Sequence, residues 1–250
     1  MSTRRASAHR ALGWTLALLA VLVGALAGGP ARAGLLRVPT RADEARSWTG
    51  PLPVGLRRHV LAIALEAYEC GRLEGHFDKA LLTLIDYSRP SDERRLWVID
   101  LDTGIVLFHE FVAHGRGSGD RYAVLFSNTP ESHRSSLGLF RTANTYVGGN
   151  GYSLNLMGLE PGVNDRAFER RIVVHGAEYV RPEVALAQGR VGRTWGCPAL
   201  DPRVHRAVID RIKDGSALFI YYPDRRWLTR SHFLACGRRG PDHAYGWPRR

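Results

Sequence analysis

Ile172-Val173-Val174-His175-Gly176-Ala177 and Gly192-Arg193-Thr194-Trp195-Gly196-Cys197-Pro198-Ala199-Leu200 are the two stretches on which the reading of this chain turns. The first carries three β-branched residues in a row, which predicts a short buried strand ending on His175. In the second, Cys197 lies in a glycine-flanked turn just ahead of Asp201-Pro202, an N-cap followed by proline at the first helical position. A cysteine nucleophile needs a base or a positive neighbour, and a histidine serves both needs. A thiolate–imidazolium resting pair would hold the thiol below its free value of about 8.5. Gly196 lets a substrate carbonyl approach without a side-chain clash, and the turn can aim backbone N–H groups at a developing oxyanion. Arg193 is a fixed positive charge suited to a substrate carboxylate. By themselves, His175 and Cys197 also fit a satisfied strand-end histidine and a buried cysteine.

Outward from these segments, short strands outnumber helices. Leu96–Leu101, an Asp102-Thr103-Gly104 turn and Ile105–Ala113 read as a hairpin. Ser216–Tyr222 reads as a last strand, after a helix carrying Val204, Val208 and Ile212. Residues 114–165 are rich in Gly, Ser, Asn and Thr, with β-like pieces only at Ala123–Phe126 and Gly138–Thr142. Two helices are predicted ahead of the hairpin. One runs from Gly55 to Leu73, with Leu56, Val60, Ile63, Ala64 and Ala67 at helical spacing; the other runs from Asp78, an N-cap candidate, through Ile85. The expected fold class is mainly β with peripheral helices.

Of the 250 residues, 44% are apolar and 24% charged, ordinary globular values that exclude coiled-coil, fibrous and largely disordered chains. The formal charge is +11, but the arginines are scattered and no nucleic-acid motif is present, so no nucleic-acid partner is expected. A mild attraction to a polyanionic surface is as much as the charge supports. Residues 1–33 have the layout of a cleaved secretory signal: Arg4, Arg5 and Arg10, an uncharged apolar run from Ala11 to Gly28, and Ala31-Arg32-Ala33. Those residues hold four arginines and no acid, so cleavage near Ala33 takes the charge from +11 to +7. The expected product is exported to the periplasm or cell wall, with no stable membrane span. Residues 34–54 read as a leader, 55–225 as the catalytic domain with its N-terminal helices, and 226–250 as a C-terminal tail. An exported chain with three cysteines, Cys70, Cys197 and Cys236, has an odd thiol. All three fit small buried hydrophobes; alternatively Cys70 and Cys236 pair and Cys197 stays reduced for chemistry.

The run His-Gly … Gly-Arg-x-Trp-Gly-Cys-Pro from His175 to Pro198 resembles the active-site signature of the L,D-transpeptidase (YkuD-like) superfamily, in its murein L,D-transpeptidase catalytic domain branch. Asp86-Tyr87-Ser88, Arg95–Leu101, His114–Ser118, Phe126-Ser127-Asn128, Ser135–Gly138 and Gly158-Leu159-Glu160 are similar to that branch too, so the resemblance spans roughly residues 80–223. It implies a β-sandwich or barrel catalytic domain, Cys197 as nucleophile, His175 as general base and acid, Gly196 as part of the catalytic turn, and Gly176 and Thr194 as substrate-binding neighbours in the motif. It also implies peptidoglycan stem peptides as partners and no metal or organic cofactor. Where many members carry Arg or Asn two residues after the cysteine, this chain has Ala199; Arg193 or Arg141 would then have to meet a substrate carboxylate.

His114 and Ser136 are further candidate substrate contacts, although a solvated loop histidine, as for His133, or a turn serine needs no such role. Trp195 reads as a packing anchor rather than a sugar-stacking platform. The implied reaction is acyl transfer from a stem tetrapeptide, with release of D-alanine, to an amine acceptor. The alternatives are hydrolysis of the same acyl-enzyme by an L,D-carboxypeptidase or endopeptidase, and a non-catalytic wall-binding protein.

Overall fold

A computed structural model describes residues 50–236. The expected signal segment and most of the leader lie outside the described residues. The described elements are α1 (Arg58–Leu73), β1 (Leu81–Asp86), β2 (Leu96–Asp100), β3 (Val106–Glu110), β4 (Gly138–Gly148), β5 (Gly151–Gly158), β6 (Val173–Gly176), α2 (Pro182–Gln188), β7 (Ala199–Leu200), α3 (His205–Ile212), β8 (Ala217–Tyr221) and α4 (Arg225–Arg230). The strands form one eight-stranded mixed sheet in the order β3-β2-β1-β8-β4-β5-β6-β7. Two of its steps are parallel, β1 with β8 and β6 with β7. The fold is mainly β with few helices, as expected.

The β2–β3 hairpin forms where its turn chemistry predicts. The Asp100 carboxylate accepts from the N–H of Asp102 and of Thr103, and Gly104 takes the positive φ (71°) the turn requires. The segment read as a second N-terminal helix is instead strand β1. Leu81–Asp86 is buried at every position, between β2 and β8. A short continuous apolar run has no periodicity with which to separate a buried helix from a strand covered on both faces. The long β4–β5 hairpin is the other departure. Its sequence is polar and glycine-rich, and its outer end is exposed, with Val147 79% accessible. The two-residue turn Gly149-Asn150 closes it, with Gly148 paired to Gly151.

Helix α1 lays Val60, Leu61, Ala64, Leu65, Ala67 and Tyr68 into the main core, against β1 and β8. Cys70, in its last turn, is joined to Cys236 across a Cα–Cα distance of 5.8 Å and 166 residues of sequence. Closing a loop of that length stabilises the fold by about 5 kcal/mol in the chain-entropy account. The stretch read as a tail is therefore part of the packed unit as far as Cys236. Asp224 caps α4 by accepting from Trp227 N–H, and Trp227, Phe233 and Leu234 are buried in the core. Trp227 Nε1 donates to buried Glu160, which also accepts from Leu139 N–H, so α4 is tied to β4.

Candidate active site

Strand β6 carries His175 at its last position but one and pairs with β5 on one side and β7 on the other. His175 is in register with Ala199, two residues beyond Cys197, and the N–H of Val173 reaches the Cys197 sulfur at 3.5 Å. Alternation along a strand puts Val173 and His175 on one face. On its other side the 194–199 segment is held by the chain before the first loop. Ala113 N–H donates to Ala199 O (2.9 Å), Thr194 N–H to His114 O (2.9 Å) and Arg116 N–H to Thr194 O (2.7 Å).

The turn carrying the cysteine is fastened at each residue. Thr194 Oγ1 accepts from Gly196 N–H (3.0 Å) and donates to Cys197 O (2.7 Å). Ser135 Oγ donates to Gly196 O (3.1 Å) and accepts from Gly115 N–H (3.0 Å). Gly196 has φ 128°, and a Cβ there would stand 2.8 Å from Ile172 Cδ1 and 2.9 Å from Arg134 O, so only glycine fits. Its role is conformational: Thr194 occupies its N–H, leaving that group unavailable to an oxyanion. The N–H of Cys197 itself has no intrachain acceptor among the described residues.

Cys197 is the one free cysteine and is 9% exposed. Its thiol donates to Arg171 O at 3.5 Å. Burial pushes the thiol above its ordinary value, against the opposing pull of the Val173 N–H and the Arg170 charge. His175 is 5% exposed, and its Nδ1 lies 3.0 Å from Gly176 O. A carbonyl only accepts, so Nδ1 carries the hydrogen and Nε2 keeps its lone pair. Burial lowers the His175 pKa; the bond to Gly176 raises it and His205 lowers it further. Both shifts favour a neutral thiol and a neutral imidazole over a thiolate–imidazolium resting pair. No hydrogen bond joins His175 to Cys197 among the described residues, a looseness common in unliganded nucleophile–base pairs.

The remaining sequence candidates separate into scaffold and site. Gly176 supplies the carbonyl for His175, and a Cβ there would lie 2.8 Å from the His205 ring. Ser136 is buried; it donates to Ser127 O and accepts from Arg170, so it holds a loop and is not a substrate contact. Arg193 is engaged by Gly119 O and Asp120. Arg141 is spent on His76 O and Asp78, at the turn between α1 and β1. Ala199 is fully buried, so no side chain reaches a substrate from that position. His114 is not solvated: it is fully buried, with Nδ1 accepting from Arg95 at 2.8 Å. Trp195 is no packing anchor, being 69% exposed. A metal role for His114 is incompatible with Arg95 on its Nδ1, and the one metal-ligand-type cluster among the described residues, Cys70, Glu74 and Cys236, has its sulfurs bonded to each other.

Sequence reasoning missed Arg170 and Tyr179, and the actual role of Ser135, which pins the cysteine turn. Arg170 donates to Ser127 O (2.7 Å), Ser136 Oγ (2.6 Å), Ser132 Oγ (3.3 Å) and Arg134 O (2.7 Å), and its charge favours the Cys197 thiolate. Tyr179, near enough for a Cys197 thiolate to raise its pKa, packs its ring where a side chain on Gly192 would stand. Arg170 is one of several arginines in a charged run (166–171), and nothing local marks it out.

Residues 54–221 match the family model described as L,D-transpeptidase catalytic domain, two thirds of the chain. The chain belongs to that family. Among solved structures, this L,D-transpeptidase domain is similar to an L,D-transpeptidase from Mycobacterium smegmatis, at 15% identity over 58% of this chain and 59% of that one, with a TM-score of 0.35. It is also similar to an L,D-transpeptidase from Stackebrandtia nassauensis, at 12% identity, 66% and 68% coverage and a TM-score of 0.36. A third, an LD transpeptidase solved in complex with imipenem, has 15% identity, 57% and 59% coverage and a TM-score of 0.36. These likenesses are distant, and the match spans under two thirds of the first structures' length. No curated protein matches. Among the described residues no helix is long and apolar enough to cross a membrane.

Proposed function

We propose that this chain is a peptidoglycan L,D-transpeptidase exported to the periplasm or cell wall, with Cys197 as nucleophile and His175 as its base and acid. The observation that carries this reading is the bond from His175 Nδ1 to Gly176 O, which leaves Nε2 as acceptor on the strand whose Val173 N–H reaches the one free thiol. In acylation the Cys197 S–H proton passes to His175 Nε2 as the sulfur attacks the carbonyl carbon of the third-position diamino acid. The oxyanion forms beside the Cys197 N–H. Collapse breaks the amide, His175 returns the proton to the departing D-alanine nitrogen, and a thioester remains. The side-chain amine of a second stem then attacks the thioester and gives up a proton to His175. The thiolate leaves and is reprotonated, and a 3→3 cross-link results. This chemistry calls on no metal or organic cofactor.

Incubation with defined muropeptides, with products read by mass, tests the reading. The expected products are an acyl-enzyme on Cys197, free D-alanine and a cross-linked dimer. Loss of D-alanine with a tripeptide in place of a dimer would assign the same acyl-enzyme to hydrolysis. Absence of any adduct on Cys197 would leave a wall-binding protein.

A further inference from the structure

In the run Thr194–Leu200 every side chain is buried except that of Trp195. A large indole 69% exposed, two residues from the candidate nucleophile, costs solvation and does nothing for the core. It is also not free to swing. The guanidinium of Arg116 lies over its ring, with Cζ 5.4 Å from the centroid, and the His133 ring stands 5.1 Å away, tilted by 34°. Arg116 in turn donates from Nε and Nη2 to His133 Nδ1 (3.3 and 3.1 Å). His133 is held in the left-handed region, with φ 52°, and its carbonyl accepts from Gly117 N–H. Arg116 is exposed and forms no ion pair among the described residues. An oriented aromatic face and a cation with no acidic partner among the described residues therefore stand together beside the cysteine turn.

Resting on the proposed peptidoglycan reaction, we propose that Trp195 and Arg116 form a subsite for the sugar-proximal part of the donor strand. The exposed part of the indole stacks on the apolar C–H face of the muramyl ring, and Arg116 pairs with the carboxylate of the acidic residue of the stem. The chemistry of the stem selects this occupant: alanines, an acidic residue and a diamino acid offer no ring for an indole, whereas the sugar presents a flat C–H face to the negative π surface. The reach agrees. Two residues of chain separate Cys197 from Trp195, at most about 7 Å of backbone with the indole projecting beyond. Three stem residues lie between the attacked carbonyl and the sugar and span at most about 11 Å when extended. Ala199 offers the substrate no charge and Arg193 is paired with Asp120, whereas Arg116 has no acidic partner among the described residues, so Arg116 supplies the carboxylate contact that the motif position after the cysteine lacks.

The test compares two donors, a free tetrapeptide and the same tetrapeptide on its disaccharide, in wild type, Trp195→Ala, Trp195→Phe and Arg116→Gln. Trp195→Ala is expected to reduce the preference for the disaccharide donor, as the ratio of kcat/KM values, by about ten-fold, the size of one lost aromatic contact. The loss should sit in KM, and Trp195→Phe should restore much of it. Arg116→Gln should raise KM for both donors. Unchanged donor preference in Trp195→Ala, or a fall in kcat equal for both donors, would overturn the subsite and make Trp195 a support of the cysteine turn. Calorimetric binding of the disaccharide-tetrapeptide to Cys197→Ala, with and without Trp195→Ala, keeps the two readings apart. Binding that weakens with Trp195→Ala supports the subsite even if the wild type turns nothing over, and equal or absent binding overturns it.

Discussion

His114 and His175 are both buried, both end up neutral, and lie on either side of the same cysteine segment, yet their surroundings prepare them for opposite tasks. His114 Nδ1 faces Arg95, which can only donate, so its hydrogen is confined to Nε2, buried against the Gly119–Asp120 backbone without a hydrogen bond of normal geometry. Burial and the Arg95 charge push His114 down to about 3. Arg95 is itself fully buried and pulled down to about 10, still charged at neutrality. His175 Nδ1 faces a carbonyl, so its Nε2 is the acceptor. One ring is locked into a scaffold; the other can take a proton. Partner chemistry, not burial, decides which histidine is a base.

Four outcomes would break or sharpen that contrast. The largest is Cys197→Ala, which should abolish acyl transfer with the cooperative unfolding transition retained; Cys197→Ser should be nearly as inactive, a hydroxyl being a far weaker nucleophile. Turnover in either variant at the wild-type rate would remove Cys197, and with it His175, from the chemistry. Next, His175→Ala should lower kcat/KM by about 10²–10⁴-fold, the usual cost of losing a general acid–base. Below an ordinary histidine value, protonation of Nε2 removes the base, and the lowered His175 pKa carries the wild-type acid limb to below about 6.5. His114→Gln should leave that limb in place, and a shifted limb in this variant would show that the two rings had been assigned the wrong way round.

The third outcome is in stability. Folded His114 stays neutral while the unfolded chain takes up a proton below about 6.5, so its share of stability is present above that pH and lost as pH falls toward about 3. Between pH 6.5 and pH 5 this amounts to roughly 2 kcal/mol in wild type. His114→Gln should unfold more readily than wild type at pH 7.5, and the gap should narrow at pH 5, as read by denaturant titration. A gap constant with pH would mean that His114 takes up its proton alike in the folded and unfolded chains. The smallest effect concerns the thiol. Alkylation of Cys197 should be slow at pH 7, its midpoint above an ordinary thiol and almost the same in His175→Ala, because the resting pair is neutral. Arg170→Met should raise the midpoint further. Rapid alkylation at pH 6–7 that His175→Ala abolishes would restore the ion pair.

The site itself was more legible than its surroundings. A strand-end histidine and a glycine-flanked cysteine are local patterns, but it was the family-like run that set His175, Gly176 and Cys197 apart from bland alternatives. Thr194 was also visible, but as a substrate contact, whereas its hydroxyl is committed to the turn. Arg170 was not visible, because it acts across 36 residues of sequence through a carbonyl that any residue possesses; Ser135 was visible as a turn serine, but its bond across 61 residues to Gly196 was not. Leu81–Asp86 misled because its periodicity is erased when both faces are covered.

What the sequence alone determined is whatever depends on bonds between near neighbours: the β2–β3 turn closed by Asp100 and Gly104, α1 with its apolar stripe, the buried strand carrying His175, and the family-like run to Cys197. What only the tertiary structure decided is the charge and tautomer of each buried group, the Cys70–Cys236 pairing, and the split between committed and available arginines. Those depend on which donor or acceptor the fold brings against a given atom, and on how much water it removes there. A pKa or an ion pair is a property of that encounter, and the encounter is set by packing between strands far apart in the chain.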